Sequence, residues 1–290
     1  MNGKFKSPVK SLAEVLKPVL CLHIGLSALF GFVLAAQELT LAGVGLGLSI
    51  LVLSLGCAAL NNVQDREFDL WFARTQSRAL PSGRLRPKPV AVLGVVLILS
   101  GIGGLTVLPR TSLLVPALGI LAVVCYNGLY TPLKKTTLWA IVPGTISGML
   151  PPMIGWAAGG GFLLDHEILL IAAVMGLWQI PHFFLILLKS GQPGPGNSQY
   201  PSFARLFPGI SLKLQVMIWC GLYSLALFLY LIRVPAPVPV HFSLITAANA
   251  LLVIFWTGFR LFYSDPARAF AGINISILAF MGTGIWSALA

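Results

Sequence analysis

Nine separate runs of apolar residues restrict this chain to one kind of architecture. They lie at about 18–36, 41–62, 89–108, 112–130, 139–158, 167–188, 211–232, 239–261 and 269–288. A helix needs about 20 apolar residues to cross the hydrocarbon of a bilayer. A backbone amide there finds no water, so such runs must satisfy their own hydrogen bonds as helices. With 57% apolar and only 9% charged residues, the 290-residue chain has no polar stretch large enough for a soluble domain. The expected fold is all-α: a polytopic membrane protein of nine transmembrane helices, one domain over 1–290, with 1–15 as an N-terminal tail.

The positive charge shows the same pattern. Of the nineteen lysines and arginines, all but Arg110 and Arg233 fall on one side of the expected membrane. That bias fixes the basic side as cytoplasmic, so the N-terminus starts in the cytoplasm and, after nine crossings, the C-terminus ends outside. A net charge of +11 would otherwise suggest nucleic acid, but these residues sit in short loops between apolar runs and form no basic face. The start of the chain, with Lys4, Lys6, Lys10 and Lys17, leads into a full-length span with no small-residue cleavage site, which argues against a removed leader. Cys21, Cys57, Cys125 and Cys220 each stand alone in an apolar run and read as small buried hydrophobes.

Only eight residues are acidic, and three of them, Asp65, Glu67 and Asp69, cluster directly after the second run. Asn61, Asp65 and Asp69 are spaced by four, which on a helix stacks all three on one face. Two carboxylates and an amide oxygen so placed suit Mg²⁺, a hard cation that shares its oxygen ligands with substrate phosphates. Arg74 and Arg78 come next in the chain and supply fixed positive charge for the same phosphates. The plainer alternative is a charged helix end solvated among lipid headgroups; ionisable residues at the end of a span are more often functional or paired.

Other interruptions of the apolar pattern are fewer. Lys17-Pro18 opens the first span, where a proline lacks no needed N–H. The fifth run carries Gly144 and Gly148 at the spacing of close helix packing, then Pro151-Pro152, which are expected to break or kink the helix. The sixth run holds Trp178-Gln179-Ile180-Pro181-His182, with two polar groups flanking a proline in otherwise apolar sequence. The stretch 191–200 is too rich in glycine and proline for helix. The last three runs contain little polar chemistry and read as scaffold.

A metal-held diphosphate facing a greasy chamber suits one reaction type. An allylic prenyl diphosphate ionises when cations neutralise its leaving group, and the resulting carbocation must be kept from water until an acceptor attacks it. No protein nucleophile is needed, and no Ser-His-Asp or Cys-His grouping is evident.

Asn61-x-x-x-Asp65-x-x-x-Asp69, with Arg74-Thr75, Arg78 and Pro81-Ser82-Gly83 after it, resembles the first aspartate-rich motif of the UbiA-type intramembrane prenyltransferases. Tyr130-Thr131-Pro132-Leu133-Lys134-Lys135, the stretch from Gly148 to Ala158, and above all Trp178 to Phe184 are similar to the branch of that superfamily that farnesylates haem. The resemblance covers about residues 12–210 and weakens beyond. It implies nine helices around a central cavity open toward the cytoplasmic side and the membrane. Asn61, Asp65 and Asp69 would bind diphosphate through Mg²⁺, held further by Arg74, Arg78, Lys134 and Lys135. Trp178, Gln179 and His182 would face the porphyrin, with Tyr130 and Lys17 also at the substrates. The implied partners are farnesyl diphosphate, haem B and the lipid of the cell inner (plasma) membrane, with no nucleic acid; oligomeric state is not implied. The family's second acidic motif is missing: no Asp or Glu lies between Glu167 and Asp265, which leaves Asn197, Ser198 or Gln199 in that place. Arg78-Ala79-Leu80 also stands where the family usually has Arg-Pro-Leu. A different acceptor, such as a quinone precursor, or a non-catalytic haem- or isoprenoid-binding relative are the alternatives this departure leaves open.

Overall fold

The computed structural model describes residues 7–108, 112–190, 201–233, 240–263 and 265–290. The segment 191–200, with Asn197, Ser198 and Gln199, lies outside these residues, as do Lys4, Lys6 and Arg110. The described residues contain no strand. Among them, nine helices are long and apolar enough to cross a membrane: Pro8–Ala36, Leu41–Asp65, Pro87–Val107, Leu114–Leu133, Leu138–Ala158, His166–Lys189, Ile210–Arg233, Val240–Tyr263 and Pro266–Leu289. They are called the first to ninth spans below. Eight of the nine begin and end within a few residues of the apolar run that predicted them.

The first span differs. Its apolar part is the helix Pro18–Ala36, but a further helix, Pro8–Leu16, precedes it in the segment assigned above to a tail. Ser7 caps that helix by accepting from the Lys10 N–H at 3.3 Å. Lys17 joins the two in the left-handed region, at φ 51° and ψ 53°. A residue before proline is driven out of the right-handed helical region, so the junction turns at Lys17 and Pro18 restarts the helix.

The first span packs against the second, fifth and ninth; the second also packs against the third, and the fourth against the fifth. The sixth packs against the fifth, seventh and ninth, and the eighth closes the bundle between the seventh and ninth. Lipid is as apolar as a leucine side chain, so close fit and small residues hold such helices together rather than exclusion of water. The first and fifth spans approach most closely. A Cβ on Gly31 would fall 2.0 Å from the Pro152 oxygen, and one on Gly155 would fall 1.9 Å from the Ala28 oxygen. Phe30, Tyr223, Tyr230 and Phe280 are fully buried where these spans meet the seventh and ninth. Leu99, Leu252 and Phe255 point outward, as a lipid-facing surface requires.

One sequence expectation changes here, the single helical face for Asn61, Asp65 and Asp69, and two further local features stand beside it. The helix Ile141–Ala158 runs through Pro151-Pro152 without a break, and His166–Ser190 likewise runs through Pro181. Pro152 packs tightly against Gly31 of the first span. Asn61, Asp65 and Asp69 do not share one helix: the second span ends at Asp65, and Asp69 lies on a separate 3₁₀ turn, Phe68–Trp71. Finally, the fourth span is not a uniform α-helix. It widens to a π-helical segment at Val124–Tyr130 before an α turn at Thr131–Leu133.

Candidate active site

The end of the second span carries the polar centre. Asn61, Asn62 and Asp65 are all buried, as is Asp69 just beyond. Asn61 Nδ2 donates to Asp65 Oδ2 at 2.9 Å and to Thr131 Oγ1 at 3.1 Å. Asn61 Oδ1 accepts from Lys17 Nζ at 3.3 Å, so the left-handed lysine of the first-span junction reaches into the site. Lys134 Nζ donates to Asp65 Oδ2. Lys135 Nζ stands 3.4 Å from Asp65 Oδ1 and donates to the Gln64 carbonyl at 2.6 Å. Asp65 Oδ1 is itself buried without a hydrogen-bond partner.

The π-helical segment sets this geometry. Inserting one residue per turn rotates the helix beyond it, and such bulges recur at functional sites. Asn127 Nδ2 donates to the Cys57 carbonyl at 3.0 Å and to Gln64 Oε1 at 3.2 Å, while Gln64 Nε2 returns a bond to the Asn127 carbonyl at 3.0 Å. Two amides thus clamp the fourth span to the second. Tyr126 and Tyr130 stack with ring centres 5.6 Å apart, and Lys134 lies 5.3 Å over the Tyr130 ring. The clamp carries Thr131, Lys134 and Lys135 to Asp65.

Asp69 forms the second carboxylate. Arg78 Nη1 donates to both its oxygens, at 3.1 and 2.9 Å, and Thr75 Oγ1 donates to its carbonyl at 2.7 Å. Arg74 is exposed. Desolvation and then the neighbouring Arg78 pull its guanidinium below the usual arginine value while Asp69 pulls it back up; it remains a cation. Lys17 stands within electrostatic reach of Asp65, Asp69, Arg78 and Lys134 together, which makes the two carboxylates and their cations one cluster.

Trp178, Gln179 and His182 are half-buried on the sixth span, between the fifth and ninth. Trp178 Nε1 donates to the Ile273 carbonyl at 3.0 Å. Gln179 Nε2 donates to the Thr145 and Met175 carbonyls at 3.2 and 3.1 Å. His182 Nδ1 lies 3.1 Å from Asn274 Oδ1 of the ninth span. That contact brings a polar side chain of the ninth span, one of the three read as scaffold, to His182. Gly144 and Gly148, at the spacing of close helix packing, receive side chains of the adjacent spans. Their missing side chains admit the Tyr130 ring and the Gln179 amide.

Sequence reasoning therefore reached Lys17, Asn61, Asp65, Asp69, Arg74, Arg78, Tyr130, Lys134 and Lys135, which the structure gathers around one centre. It missed Gln64, Asn127, Thr131 and Asn274. Asn127 and Asn274 carried a usable signal, a lone amide inside an apolar run, the same signal that marked Gln179.

The donor set fits a hard divalent cation. It offers two carboxylates, one with a buried oxygen lacking a hydrogen bond, beside an amide oxygen. Among the described residues no group of three or more His, Cys, Asp or Glu comes together, so carboxylate ligation would stop at two.

Buried carboxylates ringed by lysines and arginines, at one end of a bundle of membrane helices, define an intramembrane enzyme for a polyanionic substrate. The chain matches the UbiA prenyltransferase family over residues 24–281, and it belongs to that family as a prenyltransferase. It is 30% identical over 267 residues to the protoheme IX farnesyltransferase of Oleidesulfovibrio alaskensis, covering 89% of each chain. It is 39% identical over 175 residues to that of Geobacter sulfurreducens, covering 58% of this chain and 62% of that one. In fold it is similar to a UbiA homologue from Archaeoglobus fulgidus solved bound to GPP and Mg²⁺. The TM-score is 0.70 at 13% identity, over 96% of this chain and 99% of the other.

Proposed function

We propose that this chain transfers a farnesyl group from farnesyl diphosphate to the 2-vinyl group of protoheme IX. Farnesyl diphosphate, vinyl haem and water become hydroxyethylfarnesyl haem, diphosphate and a proton. The observation that carries the donor half is Asp65, buried with one unbonded oxygen and faced by Lys134 and Lys135. Asn61, Asp65 and Asp69 would hold Mg²⁺, which when bound adds positive charge to the diphosphate and eases its departure.

Lys134, Lys135 and Lys17 surround Asp65 and Asn61, and Arg78 grips Asp69. An arriving diphosphate draws on these cations, whose positions are fixed before it binds, so little reorganisation is needed as the C–O bond breaks. Arg74, exposed at the rim, supplies charge where the diphosphate enters. The Tyr126 and Tyr130 rings border the cation-forming end, and aromatic faces favour positive charge. The vinyl carbon attacks the allylic carbon, and water captures the cation left beside the porphyrin. Trp178, Gln179 and His182 face the haem in this reading. The cluster lies at the cytoplasmic boundary of the inner membrane, with the N-terminus inside and the C-terminus outside.

The test is haem analysis after expression in a host lacking its own haem-farnesylating enzyme. Farnesylated haem is expected, and it disappears with Asp65→Asn and on chelation of divalent metal. If a typical relative makes the product in that host and this chain does not, the reading fails. One observation favours a second acceptor, such as a quinone precursor: the absence of any acidic residue between Glu167 and Asp265, where the family's second motif falls. Labelled prenyl diphosphate offered with a panel of acceptors separates the two, since labelling of haem alone removes the second.

A further inference from the structure

His182 sits between two rings, 4.9 Å from Trp178 on its own span and 4.6 Å from Phe270 on the ninth. Its Nδ1 lies 3.1 Å from Asn274 Oδ1. The Asn274 amide is fixed in orientation: its Nδ2 donates to the Phe270 carbonyl, one turn back on the same helix, at 2.5 Å. Turned over, the amide would press its oxygen against that carbonyl oxygen. Asn274 Oδ1 carries no proton, so the proton between it and His182 belongs to Nδ1. A neutral imidazole has a single N–H, so His182 Nε2 carries a lone pair. Nε2 has no hydrogen-bond partner among the described residues.

We infer that Asn274 is a positioning residue that holds His182 as its Nδ1–H tautomer and so presents Nε2 as an axial ligand to the iron of the haem acceptor. The inference rests on the haem reading above and extends it to the atom that grips the substrate. Imidazoles that bind metal donate their other ring N–H to a fixed oxygen, which sets both the ring plane and its basicity. The carbonyl-anchored amide supplies that oxygen here. The flanking Trp178 and Phe270 rings limit rotation of the imidazole. Coordination moves no net charge and needs no oxidant: the Nε2 lone pair forms the bond to iron and a weak axial ligand such as water leaves. Gln179, three residues before His182, faces Gly148 on the fifth span, and Tyr130 faces Gly144 one turn earlier on the same span. An iron tethered at His182 therefore keeps the porphyrin beside the prenyl donor.

The experiment uses the full chain in lipid nanodiscs, titrated with ferric haem B and monitored by visible and electron paramagnetic resonance spectra. The parent protein should give the spectrum of a histidine-ligated haem. His182→Ala should lose it, and added imidazole should restore it. Asn274→Leu should weaken haem binding about 10- to 100-fold. Asn274→Asp keeps an oxygen acceptor, so it should retain binding and lower the iron's midpoint potential as the carboxylate makes the imidazole more basic. A parent-like spectrum in His182→Ala, or unchanged affinity in Asn274→Leu, overturns the ligand assignment even where the parent farnesylates haem. A parent protein that binds no haem overturns the acceptor reading itself, and the ligand assignment with it.

Discussion

Tyr130 and Gln179 lie against one face of the fifth span a single helical turn apart, each filling the space left by a glycine. A Cβ on Gly144 would fall 2.8 Å from the Tyr130 ring, and one on Gly148 would fall 2.3 Å from Gln179 Oε1. The donor half proposed above, with Tyr130 and Lys134, and the proposed acceptor half, with Gln179 and His182, would then share a wall. Gly148→Ala should displace Gln179 and lower kcat/KM for the acceptor about 100-fold, the cost of misplacing a bound group by about 1 Å. The KM for prenyl diphosphate should barely move. Gly144→Ala should show the opposite bias. Gly103→Ala, where an added Cβ meets nothing within 4 Å, is the control. Steady-state kinetics varying each substrate in turn would refute the shared wall if both variants raised both KM values alike.

Arg78 reaches both oxygens of Asp69 through a single nitrogen, Nη1, and the Asp69 side chain is only 7% exposed. Arg78→Ala would leave that carboxylate without its cation and remove a positive group from the leaving diphosphate. A fall in kcat of about 100- to 1,000-fold is expected, the scale seen when one preorganised charge-stabilising donor is lost. Arg78→Lys should fall between parent and alanine variant, because an ammonium replaces the charge on a shorter, more strongly hydrated side chain. Diphosphate release reads both, and an alanine variant as fast as the parent would remove Arg78 from the site.

Much of this arrangement could be read from the sequence, and the reason is the membrane. Where nearly every residue is apolar, Asn61, Asp65 and Lys17 stand out because lipid gives them no other partner. Helix ends could be placed closely for the same reason, since span length is set by bilayer thickness. The π-helical stretch at Val124–Tyr130 could not be read, because its extra residue is held by Asn127 and Gln64, sixty-three positions apart in sequence. The close packing of Pro152 on Gly31 of another span was hidden as well. Asp69 fits a helical spacing from Asp65, yet its pairing with Arg78 goes with a 3₁₀ turn instead. The first two involve partners on another span, and the third a residue nine positions on.

The clamp between Asn127 and Gln64 leads to a stability prediction. Asn127→Leu removes two interhelical hydrogen bonds, at 3.0 and 3.2 Å, and strands the Cys57 carbonyl and Gln64 Oε1, while the bond from Gln64 Nε2 to the Asn127 backbone carbonyl remains. Such bonds between membrane helices average about 0.6 kcal/mol each, so a loss of about 1–2 kcal/mol is expected. Asn127 Oδ1 is already buried without a partner, so leucine relieves one unmet group and keeps the loss near the lower end. Reversible unfolding in mixed detergent micelles measures it; no loss would mean that the π-helical segment holds its shape without the clamp.

Arg84 ties the N-terminal helix to the loop between the second and third spans. Its Nη1 donates to Ser11 Oγ and its Nη2 to Glu14 Oε2, both at 2.8 Å on the helix Pro8–Leu16. Nη2 also donates to the Ser77 carbonyl at 2.8 Å, and Nε to Ser82 Oγ at 3.1 Å, within the loop that carries Asp69 and Arg78. Val15 packs beneath with Ala59, Ala79, Leu80 and Val90. The N-terminal helix is therefore fastened beside the cluster of Asn61, Asp65 and Asp69, and Lys17 enters that cluster from its end. An exposed ion pair alone would contribute little, but this guanidinium holds a loop in register through four bonds. Arg84→Ala should loosen both segments: faster amide exchange across Pro8–Leu16 and 70–82, and a KM for prenyl diphosphate raised about 10-fold with kcat lowered less. Arg84→Lys keeps charge without the fork and should recover only part of this. Unchanged exchange in the alanine variant would show that the apolar contacts of Val15 suffice to hold the helix down.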